Sequence, residues 1–131
     1  MLIQVLKAKI HRAAVTDSSL DYEGSLEIDT EFLELTGILP YEKILVSNVN
    51  TGQRFETYAI PATHGSKTIS LNGPTARRGC IGDLLVIMAF AFCTPDEATH
   101  WDSKVIICLQ KIVGSNSRAT TEYPTSITKM G

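Results

Sequence analysis

The chain contains 131 residues, of which 44% are hydrophobic and 20% are charged, and its formal net charge is -2. These values predict a single globular domain that can bury a real core, and they argue against general disorder. The chain has no basic block, which argues against nucleic acid or an anionic membrane surface as its main partner.

The three cysteines, Cys80, Cys93 and Cys108, form no CxxC motif. An odd count without that motif predicts free thiols in a reducing compartment, and neither a disulfide framework nor a zinc site. The segment MLIQVLKAKIHR is too short and too charged for a signal peptide, and the ten-residue apolar run at 84–93 is too short to span a bilayer. We therefore expect a cytoplasmic protein without a membrane segment.

The first part of the chain predicts short strands separated by turns. Residues 2–10 alternate loosely and are rich in Leu, Ile and Val, which indicates a strand. Residues 11–16 suggest a second short strand, and the polar residues 17–19 are a turn signal. Residues 25–29 alternate polar and apolar side chains, as a half-buried strand does.

A helix and a hairpin follow. Residues 30–36 read as a short helix, with Asp29 as N-cap and Gly37 at the left-handed stop. Residues 43–49 and 53–60 predict a hairpin closed by the loop 50–52. On the second strand of this hairpin, Arg54 and Tyr58 project from one face and Thr57 from the other.

The second half predicts more strands and one more helix. The expected elements are a strand at 68–71, a helical turn at 75–79, an apolar strand at 83–92 covered on both faces, a helix from Thr94 to about Trp101, and a strand at 104–109. From Gly114 the chain is polar and we expect it to be flexible. The predicted fold is mainly β: a small β-barrel with two or three short helices.

Gly24-Ser25 is a candidate site of backbone cleavage. A serine hydroxyl can attack the preceding carbonyl and replace the amide with an ester, and elimination followed by hydrolysis then converts the serine to a pyruvoyl group. The hydroxyl needs activation and the oxyanion needs donors placed in advance. Glycine reaches the backbone angles such a step requires. The dipeptide alone is weak evidence, because it also occurs at Gly65-Ser66 and Gly114-Ser115, and an ordinary turn is the commoner explanation.

Several other residues have a chemical interpretation beside a structural one. Lys9 could form a Schiff base or bind a carboxylate, or be a surface lysine. Arg54 could grip a carboxylate in bidentate fashion, or lie on a solvated strand face. Tyr58 could donate a proton or pack its ring on an edge strand, and Asn72-Gly73 could present donors or form a plain turn. The three histidines show no metal-ligand spacing, so no metal site is predicted.

These signals occur in an order that resembles the pyruvoyl-dependent aspartate decarboxylases. The matching segments are KIHR at 9–12, YEGS at 22–25, NTGQRFETYAI at 50–60, ISLNG at 69–73 and GD at 82–83. The resemblance covers the proposed catalytic domain, residues 1–113, and leaves the polar tail, residues 114–131, outside it. It implies a double-psi β-barrel in a homotetramer with sites between neighbouring subunits. It also implies self-cleavage between Gly24 and Ser25, after which the pyruvoyl group from Ser25 serves as cofactor for converting L-aspartate to β-alanine and carbon dioxide.

The resemblance also implies roles for individual residues. Lys9 and Arg54 match residues that hold substrate carboxylates, and Tyr58 matches the proton donor to the carbanion. Thr57 matches a residue tied to processing and substrate binding, although an ideal strand places it on the face opposite Arg54 and Tyr58. The pocket wall corresponds to Asn72, Gly73, Pro74 and Thr75, of which Pro74 has no N–H to donate.

Two alternatives remain open at the level of sequence. The chain could be a non-enzymatic β-barrel that binds a small acid through Arg54. It could also stay an unprocessed proenzyme that needs a maturation factor.

Overall fold

The computed structural model describes the backbone of residues 1–113, 118–122 and 128–130, and the side chains of residues 1–109. The strands are β1 (Ile3–Ala14), β2 (Asp17–Ser19), β3 (Ser25–Asp29), β4 (Lys43–Asn48), β5 (Arg54–Ala62), β6 (Ile69–Asn72), β7 (Leu84–Cys93), β8 (Ser103–Ile107), β9 (Leu109–Val113), β10 (Arg118–Glu122) and β11 (Thr128–Met130). The helices are α1 (Thr30–Thr36), a 3-10 helix (Gly73–Arg78) and α2 (Pro95–Ala98).

Nine strands form one mixed sheet in the order β11-β8-β1-β7-β4-β5-β3-β6-β2, and β9 pairs separately with β10. The inward face of the sheet forms one hydrophobic core, to which α1 adds the fully buried Phe32. Alternate residues of the long strands point inward, as Ala8 and Ile10 do on β1 and Ile87 and Ala89 do on β7. The arrangement confirms the predicted mainly β, barrel-like fold with few short helices.

Helix α1 has the ends that its sequence predicts. The Asp29 carboxylate accepts a hydrogen bond from the Glu31 N–H at 2.8 Å, which satisfies one of the free donors of the first turn. Gly37 adopts a left-handed φ of 73°, and its N–H donates to the Leu33 carbonyl at 2.8 Å. The hairpin of β4 and β5 is also confirmed, with consecutive pairs from Lys43–Tyr58 to Ser47–Arg54.

Two predictions for the first twenty residues are wrong. β1 continues through the break expected after residue 10. Arg12 takes a left-handed φ of 65°, and a β-bulge between His11 and Ala13 lets the pairing with β7 continue on both sides of it. The expected turn at 17–19 is instead the exposed edge strand β2, which runs parallel to β6. The Thr16 N–H starts this pairing by donating to the Ile69 carbonyl at 2.8 Å.

Strand β7 differs from the expected strand covered on both faces. Its residues alternate between buried and more exposed positions, and on the outer face Phe90 is 37% and Phe92 is 70% exposed. The continuous apolar run therefore lines the core with one face and leaves apolar side chains on the surface of the single chain.

Helix α2 starts as predicted and ends early. Thr94 and Glu97 form a reciprocal capping box, but the helix stops at Ala98 and not near Trp101. The Trp101 indole N–H instead donates to the Leu6 carbonyl of β1 at 2.8 Å.

Within the predicted tail, β10 pairs with β9 and β11 pairs with β8. Residues 114–117, 123–127 and 131 lie outside the described residues, so the flexibility of the tail stays a prediction. Among the described residues, no helix is both long and apolar enough to cross a bilayer.

Candidate active site

Ser25 opens β3 in an unusual backbone and side-chain environment. Its φ is 96°, a region that residues other than glycine rarely adopt. The residue is only 2% exposed, and its hydroxyl is buried without a hydrogen-bond partner in the described structure. A buried hydroxyl normally has a hydrogen-bond partner, so the environment of this one is unusual. The geometry suits a nucleophile that acts on its own backbone.

The turn after β6 presses directly on the residue before Ser25. Gly73 has a left-handed φ of 62°, and a Cβ at this position would lie 2.8 Å from the Gly24 Cα and 2.9 Å from the Tyr22 carbonyl oxygen. Such distances leave no room for any side chain. The Pro74 ring lies 4.0 Å from the position of a Cβ on Gly24. The Gly73-Pro74 turn therefore fixes the backbone of Gly24 from one side.

Asn72 and Thr75 contact Ser25 itself. Asn72 is the cross-strand partner of Ser25 in the antiparallel pair of β3 and β6. The Thr75 hydroxyl donates to the Asn72 carbonyl at 2.8 Å and approaches the Ser25 carbonyl oxygen at 3.3 Å. A threonine has one hydroxyl hydrogen, so the two carbonyls share it. The structure thus places the whole predicted pocket wall, from Asn72 to Thr75, around Gly24 and Ser25.

Tyr58 lies close to Ser25 along the sheet. β3 and β5 are parallel neighbours, and Leu26 pairs with Ala59, so the preceding residues Ser25 and Tyr58 lie at the same level. The Tyr58 side chain is on the outer face and is 41% exposed. Its ring packs against that of Tyr41 with the centroids 6.2 Å apart. The phenol is therefore oriented by a neighbour and open to a ligand.

Lys9 and Arg54 share the outer face with Tyr58 but lie farther from Ser25. Arg54 is four residues from Tyr58 along β5, about 13 Å at the usual rise of a strand. Lys9 is on β1, which β7 and β4 separate from β5, so three strand spacings put it about 14 Å from β5 along the sheet. Along the sheet of one chain, Arg54 is thus four residues and Lys9 three strands away from Tyr58 on β5.

Thr57 faces the interior, as the ideal strand predicts. It pairs with the buried Ile44, and no register shift interrupts the pairing of β4 with β5. The described structure therefore gives no bulge that would turn Thr57 toward Arg54 and Tyr58.

His11 is a residue that the sequence alone did not single out as a site residue. Its row across the sheet runs through Val86 and Ser47 to Arg54 on the outer face. The His11 Nδ1 and the Ser47 hydroxyl are both buried without a hydrogen-bond partner. Burial lowers the pKa of His11 below 6.5, and the nearby charges of Lys9 and Arg12 lower it further. The KIHR segment contains His11, but no sequence pattern shows that the His11 Nδ1 lacks a hydrogen-bond partner.

Comparison with known proteins identifies the family to which the chain is similar. The sequence profile of the family described as "Aspartate decarboxylase" matches residues 1–113. Among similar proteins, the "Aspartate 1-decarboxylase" of Desulfotalea psychrophila is 52% identical over 107 residues, covering 82% of this chain and 90% of the relative. The proteins of the same name from Coprothermobacter proteolyticus and Carboxydothermus hydrogenoformans are 51% and 50% identical, covering 88% and 84% of those relatives and 82% and 81% of this chain.

Proposed function

The chain belongs to the aspartate decarboxylase family, and we propose that it is a pyruvoyl-dependent enzyme that converts L-aspartate to β-alanine and carbon dioxide. The observation that supports this most strongly is Ser25, which combines a φ of 96° with a buried hydroxyl that has no partner. The YEGS motif alone did not distinguish a cleavage site from a turn. A left-handed φ and a buried hydroxyl without a hydrogen-bond partner support cleavage at this position over an ordinary turn.

The proposed maturation uses only this chain and water. The Ser25 Oγ attacks the Gly24 carbonyl carbon, the Gly24–Ser25 C–N bond breaks, and the serine nitrogen takes up the proton, which leaves an ester. Loss of the Ser25 α-proton then breaks the Cβ–O bond and releases Gly24 as a carboxylate. Water converts the remaining dehydroalanine to a pyruvoyl group and ammonia. Gly73 has no side chain, so the Gly24 backbone can stay in the position that the attack requires.

The residues around Ser25 fit a pyruvoyl group. Asn72, Gly73 and Thr75 enclose the position, and the Thr75 hydroxyl lies 3.3 Å from the Ser25 carbonyl oxygen. The pyruvoyl ketone supplies an acceptor for the substrate amine and an electron sink for the pair that carbon dioxide leaves behind. The Thr75 hydroxyl is a hydrogen-bond donor beside this position.

Arg54, Lys9 and Tyr58 would act on the substrate. L-Aspartate has two carboxylates, which the guanidinium of Arg54 and the amine of Lys9 would bind. Tyr58, level with Ser25 and open on the outer face, would donate the proton that replaces the lost carboxyl group. A role of Thr57 in processing and substrate binding remains part of the proposal.

The separation of these groups supports a site shared between neighbouring subunits of a homotetramer. In one chain, four strand steps along the sheet separate β1, which contains Lys9, from β3, which begins at Ser25. The outer face that contains Lys9 also exposes Phe90 and Phe92, apolar surface that a neighbouring copy could cover. The free thiols of the described chain suit the reducing cytoplasm that we propose as its location.

The test compares wild-type protein with Ser25→Ala and with Ser66→Ala, a control at the exposed Gly65-Ser66 dipeptide. Each purified protein is assayed for β-alanine formed from L-aspartate without an added cofactor. Wild-type and Ser66→Ala protein should be active, and Ser25→Ala protein should lose activity. Full activity of Ser25→Ala would overturn the proposal.

Hydroxylamine separates the remaining alternatives if the wild-type protein is inactive. The reagent cleaves an ester at Gly24-Ser25 and spares an amide. Cleavage would indicate a proenzyme that waits for a maturation factor. An intact chain that binds L-aspartate without turning it over would identify a small-acid-binding barrel and refute the enzymatic function.

A further inference from the structure

We propose that Glu27 is a positioning residue, which holds the amide of Asn72 in one orientation beside Ser25. The inference rests on the proposed function, since its consequence is for maturation and turnover at Ser25. Neither the sequence motifs nor the resemblance pointed to Glu27, which lies two residues after the cleavage site.

The pairing of β3 with β6 brings the relevant side chains onto one face. Ser25 is opposite Asn72, and Glu27 is opposite Ser70. Residues two apart on a strand share a face, so all four side chains project to the same side. Glu27 and Asn72 are diagonal neighbours, within the reach of a long side chain.

Two hydrogen bonds fix the Asn72 amide. Its Nδ2 donates to the Glu27 Oε1 at 2.6 Å, and its Oδ1 accepts from the Ser70 hydroxyl at 2.8 Å. A carboxylate can only accept, so a flipped amide would set its oxygen against the Glu27 oxygen. Asn72 is 1% exposed, its contact with Ser70 is buried, and its contact with Glu27 is partly buried. The short bond to a charged acceptor is the stronger of the two.

The consequence is a donor with a defined direction at the cleavage site. The Asn72 amide has two N–H groups, and Glu27 takes one of them. In the proposal, the other N–H meets a group bound at Ser25. Without Glu27, the amide could rotate, and the remaining N–H would no longer point in one direction. A misoriented hydrogen-bond donor slows the reaction in an active site, because positioning contributes much of the rate.

The kinetic test uses Glu27→Ala, Glu27→Gln and, as a control, Glu34→Ala on the exposed face of α1. A glutamine can still present an oxygen to Asn72, whereas alanine cannot. We expect Glu27→Ala to lower kcat/KM and the rate of self-cleavage by about tenfold, as loss of one charge-assisted hydrogen bond would. Glu27→Gln should stay within about threefold of wild type, and Glu34→Ala should match wild type.

A double substitution tests whether Glu27 acts through Asn72. In Asn72→Ala protein, adding Glu27→Ala should change kcat/KM no further, because the amide that Glu27 orients is already gone. An added tenfold loss in that background would overturn the proposal. So would equal rates for Glu27→Ala and wild type, or equal losses for Glu27→Gln and Glu27→Ala.

A crystal structure of Glu27→Ala in the uncleaved Ser25→Ala background gives a readout that needs no activity. The Asn72 amide should rotate or become disordered relative to the Ser25→Ala parent. An unchanged amide would overturn the positioning role even if the enzyme is active. A rotated amide in a protein whose wild type never cleaves or decarboxylates would leave the positioning role standing and refute the proposed function alone.

Discussion

Replacing Gly73 with alanine should damage both the fold and the maturation of the chain. The new Cβ would lie 2.8 Å from the Gly24 Cα and 2.9 Å from the Tyr22 carbonyl, both backbone atoms that cannot swing away. Forcing a side chain into a packed position costs about 1–3 kcal/mol. The left-handed φ of 62° adds about 1 kcal/mol for a residue that has a Cβ.

Gly52→Ala is the matched control. Its φ is 77°, close to that of Gly73, but nothing lies within 4 Å of its added Cβ. It should therefore lose only the conformational part, about 1 kcal/mol. The difference between the two variants isolates the contact with Gly24.

Urea unfolding at fixed protein concentration measures the free energy of unfolding of both variants. Both variants also contain Ser25→Ala, so that no chain is cleaved during the measurement. Gly73→Ala should lower the free energy of unfolding by about 2–4 kcal/mol, and Gly52→Ala by about 1 kcal/mol. In protein that keeps Ser25, the fraction of chains cleaved over time should fall sharply for Gly73→Ala and not for Gly52→Ala. Equal stability and equal cleavage rates for the two variants would show that the Gly73 turn does not hold Gly24.

Three further expectations concern Asp29, His11 and the cysteines. Asp29→Ala should lower the free energy of unfolding by about 3 kcal/mol, measured by urea unfolding against the exposed Asp21→Ala, because three backbone N–H groups lose their acceptor. The lowered pKa of His11 means that the unfolded state binds its proton first, so stability should fall as the pH drops below about 6.5, and His11→Gln should flatten this part of a pH series of urea midpoints. In native protein iodoacetamide should label Cys80 and spare the buried cysteines, of which Cys108 has its pKa raised to about 12 by burial; mass spectrometry of digests checks this, and rapid native labelling of Cys108 would contradict it.

Local signals predicted the elements whose ends depend on nearby residues. Asp29 and Gly37 define α1 because a cap acts within one turn. The continuation of β1 and the existence of β2 could not be predicted in the same way. Both depend on partners far along the chain, such as the Ile69 carbonyl that accepts the Thr16 N–H.

In the candidate site, too, the sequence identified some residues and could not show features that depend on distant partners. The motifs identified Ser25 and its neighbours from Asn72 to Thr75, and the structure brings them together. No sequence pattern indicates that the Ser25 hydroxyl lacks a partner, because that depends on everything packed around it. Glu27 was missed for a related reason: its partner Asn72 is 45 positions away, and only strand register makes them neighbours.

The most direct test of the account is an intact mass spectrum of the denatured wild-type protein. The account predicts two chains, one ending at Gly24 and one beginning with a pyruvoyl group at position 25, and a single full-length chain for Ser25→Ala. A single full-length mass for purified wild-type protein after prolonged warming would contradict the claim that this chain cleaves itself at Gly24-Ser25.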